Sequence, residues 1–154
     1  MPGRRFAFEI RRTSSAPPAT LFRLETDGAT MSDWAKPLVF ESSWDRQGDP
    51  SPSGVGAVRK VGLWPLLVRE KTIEYDQDRR HVYELIGPSS PARGYRAEVI
   101  FTPNKSGGTD LVWRGEFTEA LPGTGPVMLA VLRSTIHLLS GLLVKAAERE
   151  HSAG

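Results

Sequence analysis

The sequence predicts an α+β fold: a seven-stranded, curved antiparallel sheet around one long C-terminal helix, with two short helices after the first strand. Three observations carry that reading. Several stretches, such as Phe6–Arg12 and Tyr95–Phe101, alternate apolar and polar residues and are separated by short turn signals. The Ser14–Pro18 segment combines cap residues with prolines suited to a first helical turn. The last apolar stretch, Val127–Ala147, follows a helical period instead.

Taken in order, Phe6, Phe8 and Ile10 alternate with Ala7, Glu9 and Arg11 in a half-buried strand. A short helix through Leu21, Phe22 and Leu24 closes at Asp27-Gly28, and a second helical piece carries Met31 and Trp34. Lys36-Pro37 stops it, because the residue before a proline is pushed out of the helical region. Leu38–Trp44 reads as the next strand, followed by the loop Gln47–Gly54, rich in Gly, Pro, Ser and Asp. Val55–Val61, Leu66–Tyr75 and His81–Ile86 are further strands, with Asp76–Arg79 a turn. After the loop Gly87–Arg93, Tyr95–Phe101 and Leu111–Phe117 alternate on either side of the glycine-rich turn Asn104–Thr109.

Gly125-Pro126 opens the final helix, which to Glu150 spans about 37 Å at the standard rise. Winding it at about 100° per residue gathers Met128, Val131, Leu132, Ile136, Leu139, Leu142, Leu143 and Ala146 on one side. Ala130, Arg133, Ser134, His137, Ser140, Gly141, Lys145 and Glu148 take the other. An apolar arc that wide needs broad cover, which a curled sheet supplies.

The 154 residues, 39% hydrophobic and 25% charged, suit a single domain over 1–154 with its core at about 6–150. Without cysteine there is no disulfide, thiolate metal site or cysteine nucleophile. Charges of both signs are interspersed and the net charge is only +2, so nucleic acid is not an expected partner. The N-terminus lacks an apolar signal region, and Arg133, His137 and Lys145 interrupt the last apolar stretch. A cytoplasmic monomer or homodimer without stable membrane insertion is therefore expected.

Five segments carry a family resemblance through their order and spacing. They are Gly54-Val55-Gly56-Ala57-Val58-Arg59, Val68-Arg69-Glu70-Lys71, Glu74-Tyr75-Asp76, Arg79-Arg80-His81-Val82-Tyr83 and Thr109-Asp110-Leu111-Val112-Trp113. From Phe6 to Glu150 the chain resembles the polyketide cyclase/dehydrase branch of the START and Bet v 1-like (SRPBCC) superfamily. The resemblance implies a helix-grip arrangement whose cavity, between sheet and long helix, accepts lipids, sterols, polyketides or other aromatic molecules. It implies no single activity, since carriers, cyclases, hydrolases and receptors share the fold.

The residues expected to line a ligand are Trp34, Trp44, Arg59, Glu70, Tyr83, Tyr95, Ala97, Trp113, Phe117, Met128, Leu132 and Ile136. Ordinary core packing is the plain alternative for each apolar one. Buried tyrosines and Trp113, however, need partners for their polar tips, and such groups orient ligands in apolar pockets. Arg59 and Glu70 would oppose each other across a hairpin. They read either as an anchor for a ligand carbonyl, phenolate or carboxylate, or as a cross-strand ion pair in water. In an enzyme, Arg59 would hold an oxyanion while Glu70, Tyr83 or Tyr95 moves protons.

The three histidines do not cluster, so no metal site is expected. Gly54-Val55-Gly56 lacks a third glycine and leads into a strand, there is no Gly-x-Ser-x-Gly elbow or phosphate loop, and no cofactor is expected. The expected function is binding of a hydrophobic small molecule. A cyclase or dehydratase acting in the same cavity is the alternative.

Overall fold

The computed structural model describes residues 3–63, 66–87 and 92–153, without the side chains of Leu63 and Leu66. Strand β1 (Arg5–Ser14) is followed by the helices α1 (Pro18–Thr26) and α2 (Met31–Trp34). Six strands come next: β2 (Glu41–Arg46), β3 (Val58–Leu63), β4 (Leu66–Asp76), β5 (Arg80–Ile86), β6 (Ala92–Pro103) and β7 (Thr109–Glu119). Helix α3 (Gly125–Ala153) ends the chain. The strands form one antiparallel sheet in the order β1-β7-β6-β5-β4-β3-β2, a meander to which β1 adds beside β7.

Period-two alternation locates the core. In β1, Phe6, Phe8 and Ile10 are buried while Arg5, Ala7 and Glu9 face water, and β7 buries Leu111, Trp113 and Phe117 in the same way. The outer face of the sheet is a charge ladder in which Glu9 meets Arg114, Arg114 meets Glu98, Glu98 meets Arg80, and Arg80 meets Glu74. At one end of the sheet α1 buries Leu21, Phe22 and Leu24. There Phe22 sets its ring edge against Tyr75 and Phe101.

Three strand starts differ from expectation; β6 begins at Ala92, inside the expected Gly87–Arg93 loop, because Ala92 and Arg93 pair with Glu119 and Thr118 of β7. Leu38–Phe40 is not strand, because the Ala35 carbonyl accepts the N–H groups of Leu38 and Val39, each at 2.9 Å, and keeps the chain turning. β3 starts at Val58 rather than Val55, since Val55 exchanges both backbone hydrogen bonds with Asp49 inside the preceding loop. Residues 88–91 of the expected Gly87–Arg93 loop lie outside the described residues.

Helix α3 closes on β1, β7, α1 and α2. Glu119 starts it, its carboxylate accepting the N–H groups of Gly123 and Gly125 at 3.2 and 3.0 Å. Burial would raise this carboxyl, but backbone N–H groups of Gly125, Arg4 and Gly123 hold it below the usual carboxylate range. The expected helix faces need two corrections. Val131 turns outward, whereas Ser140 is fully buried, because its hydroxyl donates to the His137 carbonyl and accepts from the Arg12 guanidinium of β1. The seated stripe is Ile136, Leu139, Ser140, Leu143, Ala146 and Ala147, all in the C-terminal part of the helix. Towards the N-terminus Met128, Leu129 and Leu132 are only half-buried.

Candidate ligand site on the inner face of the sheet

Cross-strand register assembles the inner face row by row. One row runs Phe8, Gly115, Ala97, Tyr83, Thr72, and its neighbour runs Ile10, Trp113, Val99, His81, Tyr75. Gly115 is needed where it stands: a Cβ there would lie 2.4 Å from the Phe8 ring and 3.2 Å from the Tyr95 hydroxyl. Phe8 and Tyr95 stack at 6.4 Å over that gap, and Tyr95 hydrogen-bonds Tyr83. Burial first, and then neighbouring negative groups including Glu70, push both phenols up, so both are neutral proton donors across the physiological range.

Arg59 and Glu70 oppose each other on β3 and β4, with Arg59 Nε donating to Glu70 Oε1 at 2.7 Å. They do not sit in water. Their side chains are 4% and 12% exposed. Arg59 also donates to the backbone carbonyl of Glu25, reaches Glu25 Oε2 at 3.3 Å, and lies 5.2 Å over the Tyr83 ring. His81 Nδ1 is 2.8 Å from Glu25 Oε1, and its Nε2 is 2.9 Å from the Thr72 hydroxyl. Burial would raise the Glu25 carboxyl, but His81 and Arg59 outweigh it and hold it below the usual range. Desolvation would likewise weaken the Arg59 charge, yet Glu70 and Glu25 push its affinity for the proton above the ordinary value.

Glu25 is the member of this cluster that the sequence reading missed. Its signal was position: it follows Leu21 and Phe22 by four and three residues, on the apolar face of α1. His81, near the start of β5, is buried inside the cluster. The other two histidines are exposed, and no group of metal-binding side chains occurs among the described residues.

The remaining candidates divide. Tyr83, Tyr95, Ala97, Trp113 and Phe117 share the inner face and are covered, and Ile136 is buried above them on α3. Met128 and Leu132 form a half-buried edge beside them. Trp34 is a structural residue under α1, its indole N–H donating to the Leu24 carbonyl at 3.2 Å. Trp44 lies on the edge strand β2, opposite Arg59 and against Gly28. The three tryptophans expected around one ligand therefore do not converge. Trp113 stands apart for a different reason. Its Nε1–H is buried and has no hydrogen-bond partner among the described residues.

Two clefts open elsewhere on the surface. One of about 610 Å³ lies on the outer face among Arg80, Arg96, Glu98 and Arg114, whose charges are already paired. The other, of about 430 Å³, lies between α1, Tyr75 and Glu150.

The profile of the polyketide cyclase / dehydrase and lipid transport family matches residues 5–147. The chain belongs to this family. Its fold is Bet v 1-like: the crystal structure of Ara h 8.0201 superposes with a TM-score of 0.71 at 20% identity, covering 98% of this chain and 100% of that one. A protein of unknown function from Staphylococcus aureus superposes with a TM-score of 0.75 at 11% identity, covering 97% and 98%. No curated protein matches the chain in sequence.

Proposed function

We propose that the chain binds one hydrophobic small molecule between the inner face of the sheet and the N-terminal half of α3. The observation that carries this reading is the buried Nε1–H of Trp113, unpaired among the described residues. Leaving such a donor unmet costs about 1–3 kcal/mol, and a ligand oxygen placed against it removes that penalty. The inner face offers an apolar bed of Phe8, Ala97, Val99 and Phe117 with only a few polar tips, as ligand sites do. This bed is covered. A ligand enters by displacing Met128, Leu129 and Leu132, the half-buried side chains that least energy holds in place. Arg59 and Glu70 brace Tyr83 from behind, and an acidic ligand would add Arg59 as an anchor.

An apolar fluorescent dye, anilinonaphthalene sulfonate, tests the reading. It should bind one-to-one and lose affinity by about tenfold or more in Leu132→Trp, which fills the edge of the bed. Ala97→Trp is unsuitable for this purpose, because Ala97 is fully enclosed and the larger ring would overpack the core. Dye binding unchanged in Leu132→Trp would remove the site from this position.

The buried charge pair beside two neutral phenols supports a second reading, a cyclase or dehydratase. In it Arg59 holds an oxyanion and Tyr83 or Tyr95 donates the proton. Glu70 is already engaged by Arg59. Turnover of an aromatic polyketide-like substrate that Tyr83→Phe or Tyr95→Phe abolishes while sparing its binding would establish this reading instead.

A further inference from the structure

Exposed large apolar side chains are not scattered over this molecule. Antiparallel pairing brings the start of β1, the ends of β3, β5 and β7, and the start of α3 to one end. At that end stand Phe40, Val68, Ile86, Leu121, Val127 and Val131, with Leu121 66% and Val127 68% exposed. The two other exposed large apolar residues described are Val55, in the loop before β3, and Leu138, further along α3. Concentration at one pole marks a surface that meets something apolar.

Charge indicates what that is. From residue 120 to 147 there is no acidic residue, while Arg133 and Lys145 add positive charge. Arg4 lies 5.1 Å over the Phe6 ring and Lys36 lies 5.8 Å over the exposed Phe40 ring, so two cations border the apolar cluster. Exposed Arg93, at the start of β6, adds a third. Of the acids at this end Glu116 pairs with Arg5 and Glu119 is turned inward under α3, while Asp33 and Glu41 are exposed and Glu84 is half-buried. Helix α3 is apolar enough along its length to suit a bilayer, yet only 22% of its most apolar stretch is buried in the protein. Its C-terminal part belongs to the core, so the free apolar surface is the N-terminal part at this pole.

We propose that this pole docks on the surface of an anionic lipid bilayer, with Leu121 and Val127 entering the headgroup layer and Arg4, Lys36, Arg93 and Arg133 meeting the lipid phosphates. Apolar side chains ringed by cations are the requirement for such peripheral binding, and neither suffices alone. A second copy of the chain would match the apolar residues but would set like charges against one another.

Co-sedimentation with vesicles tests the proposal. The whole chain should pellet with phosphatidylcholine–phosphatidylserine vesicles and much less with phosphatidylcholine alone. The double variant Leu121→Asp/Val127→Asp should bind about tenfold more weakly or worse. Lys36→Glu and Arg133→Glu should each lose about fivefold, on the anionic vesicles only. Both apolar sites are exposed, and an acid in the first turn of α3 favours the helix, so an unchanged thermal melt checks the fold. Val55→Asp, away from this pole, should bind as the unsubstituted chain does. Vesicle binding that survives Leu121→Asp/Val127→Asp overturns the proposal. So does an unsubstituted chain that ignores both vesicles, including one that instead forms a dimer this variant dissociates. Dye binding in the absence of vesicles should persist in Leu121→Asp/Val127→Asp, so the docking surface and the ligand site fail independently.

Discussion

Arg59 holds Glu70 and Glu25 together in the interior, and removing it would strand both carboxylates away from water. Arg59→Met should therefore lower stability by on the order of 3–5 kcal/mol, read from denaturant melts, rather than the 1 kcal/mol or less of a pair braced in water. A loss under about 1 kcal/mol would mean the cluster is hydrated. Glu25 adds a pH dependence. Its carboxyl titrates lower in the folded chain than the ordinary value of 4.5, so its stabilisation is complete above that value and disappears as pH falls through the folded value. The melting temperature should fall on acidification below about pH 4.5, and Glu25→Gln should flatten that fall while lowering stability at neutral pH. An equally steep acid profile in Glu25→Gln would place the titrating group elsewhere. Strand parity indicated that Arg59 faces inward, but β4 lacks clean alternation and hid Glu70. The place of Glu25 on the apolar face of α1 marked it for burial, but nothing local paired it with Arg59.

At the scale of elements, α3 is held firmly at one end and loosely at the other. Leu139→Ala and Leu143→Ala should each cost about 2–5 kcal/mol, since both side chains are buried and leave voids. Leu132→Ala should cost clearly less, because Leu132 is half-buried and water can fill its place. Equal losses at Leu132 and Leu143 in thermal or chemical melts would show that the helix is seated evenly. The helical period placed Ile136, Leu139, Leu143 and Ala146 on the buried side. It misplaced Val131 and Ser140, because a helical wheel records residue type and not the hydrogen bonds that let a serine be buried. The strand starts at β2 and β3 shifted by about three residues for a similar reason. Local backbone bonds at Ala35 and Asp49 kept the chain from pairing earlier, and neither leaves a hydrophobic pattern.

Across the whole molecule, the order of strands, short helices and long helix was legible because period two and period 3.6 are unmistakable over long segments. The candidate site was legible only as a face. Parity put Tyr83, Tyr95, Ala97, Trp113 and Phe117 on one side of the sheet, and the register of β5, β6 and β7 set them beside one another. It gave no sign that Trp34 would bond Leu24 or that Trp44 would lie on the far edge strand. The resulting picture is a Bet v 1-like grip whose closed end is packed by α1 and the end of α3. Its other end keeps half-buried apolar side chains, and the inner face of the sheet holds an indole N–H that is buried and unpaired among the described residues. The most direct test of ligand binding there is the ¹H–¹⁵N resonance of the Trp113 side chain during titration with anilinonaphthalene sulfonate. The account predicts that this indole signal shifts and saturates at one dye per chain, while the Trp34 indole signal stays in place. A saturating titration that leaves the Trp113 signal unmoved would contradict it.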